Sequence, residues 1–359
     1  MMYLKKPILP LVILFYCLSL LLPGLAFGQA NDYEGHWAEA QITKWLAKEL
    51  VGGYGDGSFK PNNNITRAEF MTMVNKAFGF TAEANITFKD VAANAWYRDQ
   101  VAKAAHIGYV AGYEDGTIRP DNPISRQEAA VILAKIFNLD PSDASGLSLF
   151  TDASSIPAWS KGYVSAIAKE GYIGGYEDKT FRATKPITRA ESVTVLDKAV
   201  GELYNKAGTY GEASEKTVID RNVTISTPDV TLKNMEINGN LYITEGVGQG
   251  DVILEDVVVT GKTLIKGGGE NSIIIRNSTL GDTVIDKSDG QVRIVALGDS
   301  RIGLVIVNSG AKLEEDGVTG AGFGEVTIIE VAKDSVIEFN GNFQAINVEA
   351  PGAGVNIAG

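Results

Sequence analysis

The sequence predicts a two-part chain: an all-α half built from three copies of one helix pair, then an all-β half coiled as a short parallel β-helix, or solenoid. Three observations carry this reading. Trp37, Trp96 and Trp159 are each followed sixteen residues later by a Gly-Tyr pair and twenty-nine residues later by Thr or Ser. Beyond residue 216 the helical spacing of apolar residues gives way to short runs of Val, Ile and Thr broken by Gly, Asn and Asp, which is the pattern of strands. Those runs recur with a period near 20–22 residues, the mark of a stacked repeat.

Residues 1–30 differ from the rest. Lys5 and Lys6, the apolar run from Ile8 to Leu22 and the small residues Gly24, Ala26, Gly28 and Ala30 have the layout of a secretory signal peptide. Cleavage after Gly28 or Ala30 fits equally. The apolar run is interrupted by Pro10 and bounded by Pro23, and it is short against the roughly 20 residues of a spanning helix. An uncleaved anchor is the alternative; otherwise membrane contact ends with cleavage. Cys17 is the only cysteine, and Phe15 and Tyr16 before it are unlike the small residues that precede a lipidated cysteine. Past residue 30 there is no thiol, which excludes disulfides, thiol catalysis and cysteine metal sites. The net charge is −12. From Asn31 to Val200 there are 21 acidic and 18 basic residues, and from Gly201 onward 23 against 12. The acidity belongs to the C-terminal half and argues against nucleic acid as a partner.

The repeats span residues 31–80, 86–138 and 148–200. In each, apolar residues after the Trp fall at helical spacing, as in Ile42, Trp45, Leu46 and Leu50. A Gly-Tyr-x-Asp turn follows; Pro61 and Pro120 keep the next stretch extended, and the third repeat has Lys179 and Ala183 where the others have Gly and Pro. A second helix then opens with Thr66-Arg67-Ala68-Glu69, Ser125-Arg126-Gln127-Glu128 or Thr188-Arg189-Ala190-Glu191. The hydroxyl and Glu make a capping box. The arginines are not explained by capping, since a cation in the first turn opposes the helix dipole by a few tenths to about 1 kcal/mol. Two readings remain open: an acidic ligand gripped at the helix start by unpaired N–H groups and the guanidinium, or an Arg salt bridge between repeats. Each Trp is likewise either core packing or a stacking platform. His36 and His106 have no second His or Cys beside them, so no metal site is expected.

Asp-x-Tyr-Glu-Gly-His-Trp-Ala, Gly-Tyr-x-Asp-Gly-x-Phe-Lys-Pro and Ile-Thr-Arg-Ala-Glu-Phe resemble an S-layer homology repeat. The resemblance covers roughly residues 32–80, 88–137 and 150–200, about half of the chain. It implies a pseudo-threefold helical spindle whose grooves bind acidic, commonly pyruvylated, secondary cell-wall polysaccharide. By the same resemblance the grooves are lined by Arg67, Arg126 and Arg189; Trp37, Trp96 and Trp159; Asp32, Asp90 and Asp152; and Gly53, Gly112 and Gly175. The Asp-to-Trp spacing grows from five to six to seven residues, which puts the equivalence of the Asp positions in question.

A polar stretch, residues 201–216, reads as a linker ahead of a β-domain over 217–359. There Leu232, Met235, Ile237, Gly239 and Ile243 recur as Leu254, Val257, Val259, Gly261 and Ile265, then as Ile275, Ser278, Leu280, Gly281 and Ile285. Looser copies follow through Val292–Val307, Val326–Val331 and Val336–Val348. An antiparallel sandwich is the alternative to the solenoid. This half has no His, Cys or Trp, so no nucleophilic triad can form. Glu255-Asp256 and Glu314-Glu315-Asp316 are read as solvated edges against a glycosidase pair, and Asn234, Asp256 and Asn277 as a stack at a turn against a lyase site.

The favoured expectation is an exported, non-enzymatic protein of the bacterial cell wall, without cofactor, catalytic residue or metal. Its helical half binds wall polysaccharide and its solenoid is structural or interacts, with self-association into a surface layer left open. The alternative is a wall-anchored polysaccharide lyase or hydrolase with its active site on the solenoid.

Overall fold

Each N-terminal repeat folds as two helices joined by a tight loop. The computed structural model describes residues 31–329 and 335–358. Its helices are α1 (Glu39–Ala47) and α2 (Arg67–Phe78), α3 (Arg98–Ile107) and α4 (Arg126–Ile136), α5 (Ala158–Lys169) and α6 (Arg189–Val200). The expected signal segment, with Cys17, lies outside the described residues. No helix among those described is long and apolar enough to cross a membrane.

The first helix of each pair buries an i, i+3 couple: Ile42 and Trp45, Val101 and Ala104, Val164 and Ile167. That spacing turns one stripe to the core. The second helices are buried along most of their length and start at the expected capping boxes, with Thr66, Ser125 and Thr188 as N-caps. The three repeats then close on one another. Ile65 N–H donates to the Ile187 carbonyl at 3.1 Å, Ile187 to Ile124 at 3.0 Å and Ile124 to Ile65 at 3.0 Å. A triangle of backbone bonds, with three buried isoleucines, marks the pseudo-threefold axis.

The β half is a parallel solenoid of about seven turns. Every strand pairing in its two sheets is parallel, which excludes the sandwich. Register follows the sequence period: Leu232 lies beside Leu254, Met235 beside Val257 and Ile237 beside Val259, then Leu254 beside Ile275. Inward residues at these positions are buried and stack into one apolar column. Asn234, Asp256 and Asn277 sit at a bend of successive coils with φ of 49°, 55° and 48°. Asn and Asp tolerate this left-handed conformation best among residues with a side chain. Gly298 and Gly317 take φ of 58° and 59° in the coils that follow.

Residues 201–216 are not a linker. Glu202–Tyr204 pairs with Val223–Ile225 and Gly208–Tyr210 with Val230–Leu232, so this stretch lays down the first coil. Strand pairing needs only backbone groups, which is why polar composition concealed it. The entry of the chain into the solenoid depends on Gly201, at φ 71°; a Cβ there would fall 1.9 Å from the Asn222 carbonyl oxygen.

The halves share a core. Leu203, Tyr242 and Leu264 of the solenoid belong to the helical apolar cluster. Tyr242 packs at a tilt against Phe137 with centroids 4.4 Å apart and meets the Tyr172 hydroxyl at 2.7 Å. Solenoid side chains also finish the helices. Thr244 donates to Phe78 O at the end of α2 (2.7 Å), and Asn222 and Thr224 donate to Ala199 O (3.0 Å) and Val200 O (2.7 Å) at the end of α6. Carbonyls that a helix end leaves unpaired are thus capped by the other half of the molecule.

Candidate site: an arginine ring and the grooves between repeats

The loop of each repeat is held by an aspartate. Asp32 accepts the N–H groups of Phe59 and Lys60 at 2.7 and 2.6 Å, Asp90 those of Ile118 and Arg119 at 2.9 and 2.7 Å, and Asp152 those of Phe181 and Arg182 at 2.7 and 2.8 Å. The three positions are equivalent despite their unequal spacing from the Trp. They clamp the loop, and they hold Lys60, Arg119 and Arg182 at φ of 55°, 51° and 55°. Gly53, Gly112 and Gly175 stand at the loop's return. A Cβ at Gly112 would lie 2.6 Å from the Phe88 ring and 3.0 Å from Thr117 O. The third loop closes like the others, with Tyr176 N–H on Thr180 O at 2.9 Å, because Lys179 accepts a φ of 61° in place of glycine.

The arginines join neighbouring repeats. Arg67 Nε donates to Ile118 O (2.9 Å) and Nη1 to Glu128 Oε1 (2.7 Å). Arg126 Nε donates to Phe181 O (2.8 Å), with Nη1 4.0 Å from Glu191 Oε1. Arg189 Nε donates to Phe59 O (2.8 Å) and Nη1 to Glu69 Oε1 (3.3 Å). Repeat one grips two, two grips three and three grips one. Each Glu spends its other oxygen on the capping box and takes a further bond from the Tyr of the Gly-Tyr pair, at 3.1, 2.6 and 3.0 Å. Of the two readings open for the arginines, the inter-repeat salt bridge is the one observed.

The helix starts hold no free donors for an anion. Arg67 N–H is bonded to Asn122 O and Ala68 N–H to Pro120 O; Arg126 and Gln127 bond to Lys185 O and Ala183 O, and Arg189 and Ala190 to Asn63 O and Pro61 O, all between 2.9 and 3.0 Å. These partners come from the next repeat's loop and lie too far away in sequence to be read from it. Burial works against the Glu128 carboxylate, yet the charge of Arg67 and the bonds from Tyr113 and Ser125 outweigh it and hold its pKa below the ordinary value. Burial, and then the bond to Glu128, push the Tyr113 hydroxyl up to about 12.

The tryptophans are exposed, Trp37 and Trp96 at 62% and Trp159 at 54%, so core packing is excluded for all three. Trp96 faces a groove with Arg189, Gly53, Tyr54, Glu69 and Lys76. Trp159 faces a larger groove, of roughly 800 Å³, with Arg67, Gly112, Tyr113, Glu128 and Lys135. Each groove therefore draws on three repeats: a buried Arg from one, the Tyr and Glu from the next, the Trp from the one after. In the larger groove the guanidinium is less spent. Arg126 and Arg189 use Nη2 on Gly174 O and Gly52 O, both at 2.7 Å; among the described residues Arg67 bonds through Nε and Nη1 alone. Lys76 and Lys135 went unnoticed in the sequence, although Lys76, Lys135 and Lys198 stand nine residues after the three arginines. No cluster of His, Cys, Asp and Glu among the described residues could hold a metal.

A closed trio of helix pairs with exposed aromatic grooves, joined to a β-solenoid, defines a repeat-built protein. The chain carries three S-layer homology domains, whose model matches residues 31–71, 87–130 and 149–191. It is similar to a surface-layer 125 kDa protein of Lysinibacillus sphaericus, 32% identical over 51% of this chain and 16% of that protein. A cellulosome-anchoring protein of Acetivibrio thermocellus is 34% identical over 42% of this chain and 35% of its own length. S-layer protein EA1 of Bacillus anthracis is 29% identical over 60% of this chain and 28% of its own. The chain thus spans a third or less of these relatives, or slightly more for the second. It is a cell-surface protein that shares its anchoring repeats with these relatives.

Proposed function

We propose that the chain holds itself to the wall non-covalently by binding an acidic, pyruvylated secondary wall polysaccharide in the grooves between repeats. The observation that carries this is the convergence of Trp159, Tyr113, Arg67 and Lys135 on one groove. An exposed indole offers a platform for a sugar face, and a guanidinium with an ammonium beside it suits a carboxylate. The groove of Trp159 is the principal one because the Arg67 fork keeps a donor to spare. The solenoid serves as a structural, non-enzymatic module. Its Asn234, Asp256 and Asn277 column is accounted for by the bend, and Lys233, Glu255 and Arg276 are committed to one another at 2.9 and 3.9 Å.

The test is a pull-down of the full chain on cell walls before and after chemical removal of their polysaccharide. Binding is expected to vanish with the polysaccharide and to weaken with Trp159→Ala; equal binding to stripped walls overturns the reading.

A further inference from the structure

The groove of Trp159 does not end at the helices. Tyr109, Lys135 and Tyr163 form a wall common to it and to a second space of roughly 540 Å³. The far side of that space belongs to the solenoid, through Glu245, Lys266, Asp286 and Ser288. Lys266 Nζ lies 3.4 Å from Glu245 Oε1 and 3.7 Å from Asp286 Oδ2, and Asn138, just past α4, donates its amide to Asp286. The polar groups of the seam are therefore two ammoniums, three carboxylates with Asp140, an amide and a hydroxyl, set beside apolar side chains, with tyrosines where it meets the groove.

We infer that this seam is a second subsite for the same polymer, so that a glycan chain leaving the Trp159 groove continues across the waist of the molecule onto the solenoid. The inference rests on the anchoring reading above. Three features direct it to an extended polysaccharide rather than to a small acid. The seam is continuous with the groove through shared residues. It combines donors and acceptors of both charges with the apolar side chains of Ile107, Leu139 and Pro141, which matches the hydroxyl, acetamido and C–H groups of a sugar and offers no single-sign pocket for an anion. Its geometry is also held: Thr244, next to Glu245, is tied to the end of α2, and Tyr242 is locked against Phe137 and Tyr172. Side chains fixed in advance lose little freedom on binding. The solenoid is then part of the receptor, contributing the outer end of the site.

The experiment titrates the full chain with wall polysaccharide fragments separated by length, beside a Ser288→Trp variant. Ser288 is exposed, so the indole blocks the seam without disturbing the core; thermal unfolding checks this, and Ser288→Leu replaces it if the fold suffers. Wild type is expected to bind long fragments about tenfold more tightly than fragments that fill the groove alone, the worth of one hydrogen bond to a charged group. The variant should keep the short-fragment affinity and lose the gain. If short fragments bind but length adds nothing, or if the block leaves the gain intact, the seam is not a subsite while the anchoring reading stands. If no fragment binds at any length, the anchoring reading itself falls and takes this inference with it.

Discussion

Arg189 Nη1 lies 3.3 Å from Glu69 Oε1, across 120 positions of sequence, and this contact closes the third repeat onto the first. Arg189 is 4% exposed. Removing it leaves the carboxylate without its counterion and frees the Phe59 and Gly52 carbonyls. Arg189→Ala should cost about 3 kcal/mol, the lower end for a broken buried pair because Glu69 keeps some solvent. Arg189→Lys should recover only part of this, since an ammonium cannot reproduce the fork. Denaturant unfolding of the two variants measures both. A loss below the effect of an ordinary surface substitution would mean that the ring is ornamental.

The tryptophans separate binding from stability. Trp159→Ala should leave the unfolding midpoint nearly unchanged, because the indole is more than half exposed. Polysaccharide affinity should fall by roughly 30-fold, as for an aromatic anchor worth about 2 kcal/mol. Calorimetric titration and thermal unfolding of one sample decide it; a matching fall in midpoint would return Trp159 to a packing role.

Lys179 occupies a left-handed position that Gly57 and Gly116 fill in the other repeats. Lys179→Gly should therefore stabilise the chain by about 1 kcal/mol, the strain a side chain bears there. Lys179→Ala should give no such gain. Urea midpoints distinguish the two.

The pH dependence follows from Glu128. Its folded pKa is depressed below 4.5, so its contribution to stability is complete above about that pH and is lost as pH falls through the lower, folded value. Stability should thus be level from neutrality down to the ordinary carboxylate range and decline below it. Glu128→Gln should be less stable at pH 7 and show a shallower acid decline. An unchanged acid limb would remove Glu128 from the account.

The joint between the halves makes a further claim. Tyr242 is buried and in contact with Phe137 and Tyr172, so the chain should melt in one transition seen alike by helix and strand signals. Tyr242→Ala, at about 3 kcal/mol or more for a truncated aromatic, should lower both signals together. Two separated transitions in the unaltered protein would contradict a shared core.

Much of this was legible in the sequence because its signals are local. The capping boxes at Thr66, Ser125 and Thr188 and the coil register of Leu232, Leu254 and Ile275 depend on residues a few positions or one period apart. What could not be read depends on closure. Nothing near Arg67 in sequence reveals that Asn122 and Pro120 will occupy its helix start, or that Glu128 will receive its charge. The first coil escaped notice for the converse reason, since Glu202 and Gly208 join strands through backbone alone. The exposure of Trp37, Trp96 and Trp159 needed the neighbours that fail to cover them.

The solenoid also sets a length. One of its sheets has eight strands side by side, and at about 4.8 Å between neighbours they span on the order of 35 Å. Because Asn222, Thr224 and Thr244, and farther along Leu264 and Asp286, fasten it to the helical half, that distance is a stiff element and not a tether. Whatever sits at the far end is held at one height and one heading above the wall, and it feels the drag of the surrounding medium as a torque on the three repeats.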